Sequence, residues 1–503
     1  MTTKFNELME FRKEIKLFDN VATLINWDME TTTPALGMDT MVETIGVMSG
    51  KAFEMRVSDR MEKLLNDIFE SGEFEQLDEY MQKAVKEMKR EFDFNKRVPV
   101  DFYSEYVSHT AKAQEVWRKA KKSNDYLMFK PYLEKNIEYT KKLYEYMRGE
   151  GKGNYDSMLD DYERGMDMET IDKLFGELKE ELMPLINAIA SKPQPLCDKF
   201  KRKVDVNRQR EFSRYLLEYI GFDFERGVMG ESEHPFTTKF DRNDVRVTNH
   251  YHENDVISGI FSIIHEGGHG IFEQNVDSRF DNTPFAGCCH LGLHESQSRF
   301  FENILARNIN FWKPLMPKFY ELFPEFSDVT LDELYHEINR VQNGLIRIDS
   351  DEVTYCFHII LRYELEREIF NGDGAVIDEL PALWDKKMLE YLFIKPENDA
   401  DGVMQDVHWS AGLFGYFPSY LLGSIYDGMF LEKLTEDLGS VDEILAEGRI
   451  KEITKWLNEN IHKYGGYREP KEVIESVCGR EMSVKPLVNY FKNKYAEVYE
   501  LSL

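Results

Sequence analysis

The chain has 503 residues, with 63 Lys and Arg against 92 Asp and Glu, and so carries a formal charge of −29. That balance argues against nucleic acid and anionic membrane surfaces as partners and mainly serves solubility. No run approaches the roughly 18 apolar residues of a membrane span, the N-terminus lacks the apolar core of a signal peptide, and five cysteines make no disulfide framework, so a cytoplasmic setting is expected.

Length alone suggests about two or three domains. The Pro/Gly-containing pieces Gly149-Glu150-Gly151-Lys152-Gly153 and Ser191-Lys192-Pro193-Gln194-Pro195 are short enough to be ordinary loops, so one helical domain over 1–503, with two lobes, is the simpler expectation. Apolar residues recur at helical spacing across 4 to 26, 75 to 94 and 101 to 148. Ile171, Leu174, Phe175, Leu178, Leu182, Leu185 and Ile189 form a further stripe, with Thr170 at the N-cap position and a kink expected at Pro184. From His234 to His252 the period changes to alternation around Asp241-Arg242-Asn243-Asp244, the pattern of a β-hairpin.

The hairpin leads into Asn254–Ile264, which opens with capping residues and presents Ile257, Ile260, Phe261 and Ile264 to a core. The opposite face, Ser258, Ser262, His265 and His269, is small and polar, as a cavity wall would be. A second helix is expected over Leu291–Leu305, opened by Glu295 and with Leu293, Phe300, Phe301, Ile304 and Leu305 as its apolar members. Between the two helices lies the vicinal pair Cys288-Cys289, read as reduced buried thiols. Helical stripes resume across 331 to 348 and 351 to 371. The fold class is therefore mainly α, with a small antiparallel sheet near the histidines.

His265-Glu266-Gly267-Gly268-His269 carries the chemistry. Two histidines four apart on a helix lie one above the other and can grip one metal ion, while the glutamate between them faces the ion's water. Seven of the 12 histidines fall between 234 and 294. Gly267, Gly268 and Gly270 each cost about 1 kcal/mol in a helix, which close approach of another backbone would explain; the bland alternative is a helix that stops just after His269. If the two helices run antiparallel, Glu295 completes a His2Glu set with the fourth position open. Glu302, two turns later, competes with Glu295, which is preferred because it lies nearer the loop. A histidine such as His294 or His290 beside an aromatic run is read as packed or supporting.

Further motifs extend the pattern: His234-Pro235-Phe236, Asp244-Val245-Arg246-Val247-Thr248, His294-Glu295-Ser296-Gln297, Ile346-Arg347 followed by Asp351, and Gly402-Val403-Met404-Gln405-Asp406-Val407-His408-Trp409, with Trp27-Asp28-Met29-Glu30-Thr31 early in the chain. In that order they resemble the carboxypeptidase Taq (M32) family of metallocarboxypeptidases over nearly the whole chain. Ser350 stands where the family usually has alanine, as does Gly270, and neither change removes a chemical group. The resemblance implies a neurolysin-like helical fold with a long deep groove, usually a homodimer, and removal of single residues from peptide C-termini with broad side-chain tolerance.

The mechanism expected is hydrolysis at Zn2+, with Co2+ the other candidate, held by His265, His269 and Glu295, and Glu266 as general base. A free C-terminal carboxylate calls for an arginine, and the resemblance makes Arg347 the first candidate and Arg246, on the hairpin, the second. Oxyanion donors are expected from the segment 408–420, where analogy favours His408 and Tyr420, with Tyr416 the alternative; His234 is a further candidate for substrate contact. Two rival functions stay open: an oligoendopeptidase of the same fold, and a non-catalytic peptide-binding scaffold stabilised by zinc.

Overall fold

The computed structural model describes residues 3–149, 151, 153–193, 198–371 and 376–502. Helices dominate it, and the expected stripes map onto them with instructive shifts. The segment 101–148 is two helices, Val100–Ser123 and Tyr126–Arg148, because Asn124 turns left-handed and Asp125 caps the second. The stripe from 171 begins earlier than expected, at Met168–Ala190: Asp167, not Thr170, is the N-cap and accepts from the Thr170 N–H at 2.8 Å. That helix continues through Pro184. The stripe 331–348 ends as a helix at Ile338, after which the chain is irregular up to the short turn Arg347–Asp349. Parts of both short loops expected near 150 and 194 lie outside the described residues, as does Cys197. The other four cysteines are free; Cys288 is half-buried and Cys289 is exposed, so the vicinal pair is not the buried pair expected. Among the described residues no helix is long and apolar enough to cross a membrane.

The hairpin is present, as β2 (Thr237–Asp241) and β3 (Asp244–Asn249), paired antiparallel with Thr238 opposite Arg246. It belongs to a three-stranded sheet of order β1-β3-β2, in which β1 (Gly227–Glu231) pairs parallel with β3. The small sheet is therefore mixed and not purely antiparallel. A five-residue strand containing two glycines gives little alternation to read. The N-terminal helix Lys4–Thr31 docks here through Trp27, whose ring meets Phe236 edge-on at 5.6 Å.

The motif helix, Val256–Gln274, is capped by Asp255, whose side chain accepts from the Ser258 N–H. It does not stop after His269. Val256, Ile260, Ile263, Ile264 and Ile271 enter the larger apolar cluster and Phe272 enters a smaller one built on the N-terminal helices, so this one helix joins the two. Each such buried side chain contributes about 1.5–3 kcal/mol. That burial outweighs the glycines' helix penalty of about 1 kcal/mol each.

The second helix, Leu291–Arg299, continues as a π-helical turn over Phe300–Leu305. Glu295 stands in its second turn and does not open it. Gly268 is where the two helices touch: a Cβ there would lie 2.5 Å from the Gln297 carbonyl oxygen and 2.7 Å from Ser298 Cα. Gly268→Ala is expected to destabilise the protein by about 1–3 kcal/mol through overpacking against backbone. Gly46→Ala, on a helix where the added Cβ meets nothing within 4 Å, should instead gain about 1 kcal/mol. Urea unfolding of both variants reads the difference, and equal effects would contradict the close contact.

Candidate active site

Ser258, Ser262, His265, Glu266 and His269 all line one cavity of about 730 Å³, as the polar face of the motif helix suggests. Glu295 reaches the same space from the second helix. Its Oε2 lies 3.8 Å from His265 Nε2 and 3.5 Å from His269 Nε2. These separations are long for hydrogen bonds but suit donors around one ion: two ligands each about 2.1 Å from a tetrahedral centre stand about 3.4 Å apart. Among the described residues, His265, His269 and Glu295 form the one group with potential ligand atoms all within 4.8 Å of one another.

Glu302 has a different place. Its Oε2 lies 2.8 Å from His265 Nδ1, the ring nitrogen left over when Nε2 faces Glu295. A carboxylate there holds the proton on Nδ1 and directs the Nε2 lone pair into the cavity. Burial opposes charge on His265, but Glu295 and Glu302 together raise its pKa to about 9, so without an ion the ring holds a second proton on Nε2, at the place a cation would take. The imidazoles and carboxylates thus make a buried, electron-rich cluster that fits a cation. His294 stacks on His269 with centroids 4.4 Å apart and is held by Glu273 at 3.0 Å; Glu273 is also paired with Lys239.

Glu266 is fixed from the sheet. Thr237, in β2, donates to Glu266 Oε2 at 2.6 Å, while burial lifts that carboxyl above its ordinary pKa. The second helix is fixed from its N-terminus. His290 provides no side-chain cap; instead the buried Glu163 accepts from the Gly292 N–H at 2.7 Å and from Tyr426 at 3.0 Å, and burial pushes its carboxyl up to about 8.

Arg347 lines the same cavity. Its Nε and Nη2 both reach Asp406 Oδ1 at 3.0 Å, and Nη1 donates to Tyr355 at 3.0 Å. Gln405 Oε1 accepts from its backbone N–H and from the fully buried Arg362, which also pairs with Asp406. Two guanidiniums on one carboxylate leave a net positive charge, and Arg347 is the member of the pair that reaches the cavity.

The family model described as carboxypeptidase Taq (M32) metallopeptidase matches residues 7–495. The chain belongs to that family. It is 40% identical over 497 residues to carboxypeptidase 1 of Bacillus subtilis, covering 98% of each chain, and 32% identical over 504 residues to thermostable carboxypeptidase 1 of Thermus thermophilus, covering 98% of this chain and 99% of the relative. Its structure superposes on that of the M32 carboxypeptidase from Deinococcus radiodurans R1 with a TM-score of 0.95, at 30% identity over 99% of this chain and 100% of the other. The M32 assignment makes the protein a peptide hydrolase of the metallocarboxypeptidase type and implies a divalent metal ion.

Around the M32 cavity the candidates read from sequence divide into two groups. His265, Glu266, His269, Glu295, Arg347, Tyr416 and Tyr420 converge on it. His408, Arg246 and His234 are not among its lining residues. His408 is buried behind Tyr420, with Nε2 3.2 Å from the Tyr420 hydroxyl, and burial lowers its pKa to about 3, so it is neutral and meets the cavity through Tyr420 and through Tyr416, whose ring lies 5.3 Å from its own. Arg246 makes a two-pronged pair with Asp244, both contacts 2.8 Å, and lies over Phe240 and Trp27. His234 is exposed, although its neighbours Pro235 and Phe236 line the cavity.

Sequence reasoning did not reach Thr237, Glu163, Arg299 or Tyr355. Arg299 had a signal, since Glu295, Arg299 and Glu302 are spaced four and three apart and share a face. Glu302→Gln is expected to lower metal affinity by about 10–100-fold while leaving the fold intact. Competition with a graded series of chelators measures it, and an unchanged affinity would remove Glu302 from behind His265.

Proposed function

We propose that this protein is a zinc carboxypeptidase that releases single C-terminal residues from peptides with broad tolerance of side chain, using Glu266 as general base. The observation that carries this reading is that the His265, His269 and Glu295 donor set, Glu266 and Arg347 face one cavity. Two imidazole nitrogens and one carboxylate oxygen, with one position open, suit zinc in a catalytic setting, with cobalt the second choice. The open position and the presence of Glu266 weigh against a purely structural site. When bound, the ion supplies Lewis acidity, lowering the pKa of a water and polarising the scissile carbonyl.

The chain's own groups do the rest. Arg347 receives the substrate's terminal carboxylate and thereby sets the scissile bond one residue from the end. Glu266 Oε2 is occupied by the Thr237 hydroxyl, which leaves Oε1 to take the proton of the attacking water. As the water oxygen joins the carbonyl carbon and the C–N bond breaks, that proton passes to the departing amine. Tyr420 and Tyr416, both lining the cavity, are the hydroxyl donors to the oxygen on which charge develops. Tyr420 is the better oriented: with its proton on Nε2, His408 donates to the tyrosine oxygen at 3.2 Å and leaves the phenol proton for the substrate.

Glu266→Gln is expected to keep bound metal and lose turnover by about 10²–10⁴-fold. Metal analysis beside a peptide assay checks both halves, and near-normal rates would assign the base elsewhere. Mass spectrometry of one unblocked peptide, its C-terminally amidated copy and a chelator-treated control tests the reading as a whole. A stepwise C-terminal ladder from the free acid alone, abolished by the chelator, is expected. Internal fragments from both peptides would make the protein an oligoendopeptidase and leave Arg347 without its role.

A further inference from the structure

The hydrogen bonds of Arg347 leave an imbalance at its neighbour Tyr355. A guanidinium has five N–H groups. On Arg347, Nε donates to Asp406 and Nη1 to the Tyr355 oxygen, while Nη2 is ion-paired with the same Asp406 oxygen at 3.0 Å, so two or three of the five remain for a ligand. A substrate carboxylate has about four acceptor positions and is poorly satisfied by those donors alone. Tyr355 offers the missing one. Its oxygen accepts from Arg347 Nη1, and among the described residues its own proton has no acceptor.

The ring holding that hydroxyl is fixed. Tyr355 is the second residue of the helix Thr354–Asn371 and lines the cavity although only 7% of it is exposed. The Arg299 guanidinium lies 4.2 Å from its ring centroid, and Tyr420 meets the ring edge-on at 6.4 Å. Burial keeps the phenol's pKa above its ordinary value, so the proton stays on oxygen at neutral pH, and the two guanidiniums make it a stronger donor.

We infer that Tyr355 is a substrate-positioning residue whose hydroxyl donates to the C-terminal carboxylate beside Arg347, the two donors, 3.0 Å apart, forming one clamp. This rests on the carboxylate reading of Arg347. A role on the carboxylate belongs to binding and moves KM; a role on the developing oxyanion belongs to the transition state and moves kcat.

The test uses the metal-loaded full chain and a non-cleavable peptide analogue, supplied as the free acid and as the C-terminal amide. Inhibition constants for both give an acid-to-amide preference that does not depend on the fraction of folded protein. Tyr355→Phe removes one oxygen and keeps the ring under Arg299. It is expected to raise KM for a peptide substrate and reduce the acid preference, each by about tenfold, with kcat within about twofold. Arg347→Gln should abolish the preference. If Tyr355→Phe lowers kcat alone, or leaves the preference intact while Arg347→Gln removes it, the inference about Tyr355 fails and the Arg347 reading stands. If Arg347→Gln leaves the preference intact, both fail.

Discussion

The site depends on one contact, the approach of two helices at Gly268. No side chain separates the motif helix from the Gln297–Ser298 backbone there, so Glu295, two residues before Gln297, can share space with His265 and His269. Any larger residue would widen the gap on the scale of the ligand separations themselves. Gly267 has a related role on another side of the helix, where an added Cβ would meet Leu217 and Ile220 at 2.7 Å. The glycines of the motif therefore belong to packing, and through packing to chemistry.

Burying ions is costly, by several kcal/mol each even after relaxation, unless each has partners. Around this cavity each acidic group has one: Glu302 has His265, Glu273 has Lys239 and His294, Glu266 has Thr237, and Asp406 has two arginines. Glu295 has weaker partners, with the Ser298 hydroxyl donating at 3.3 Å, the histidine nitrogens at 3.5 and 3.8 Å and Arg299 at 3.9 Å. It is the carboxylate best placed to gain from a cation. The surroundings thus hold His265, His269 and Glu295 facing one point.

Much of this was legible in the sequence because it follows helical period. His265 and His269 share a face with Ser258 and Ser262, and that whole face lines the cavity. The hairpin showed itself by alternation and its polar turn. Helix boundaries were less legible, since the break between Ser123 and Tyr126 is made by a single left-handed asparagine inside an unbroken apolar stripe. β1 was hidden for the opposite reason, a short glycine-containing strand whose partner comes later in the chain. Long-range partners left no local trace: Glu163 caps a helix 129 residues away, and Thr237 meets Glu266 only after the sheet has folded against the motif helix. Arg246 and Arg347 look alike as isolated arginines in motifs, and only the fold separates one bound to its own strand from one that lines the cavity.

The most direct measurement is a crystal structure with data collected at the absorption edge of zinc. A single anomalous peak about 2.0–2.2 Å from His265 Nε2, His269 Nε2 and a Glu295 oxygen, with no fourth protein ligand, is the predicted result. A peak bound by Glu302 in place of Glu295, or one closed off by a fourth side chain, would contradict the account.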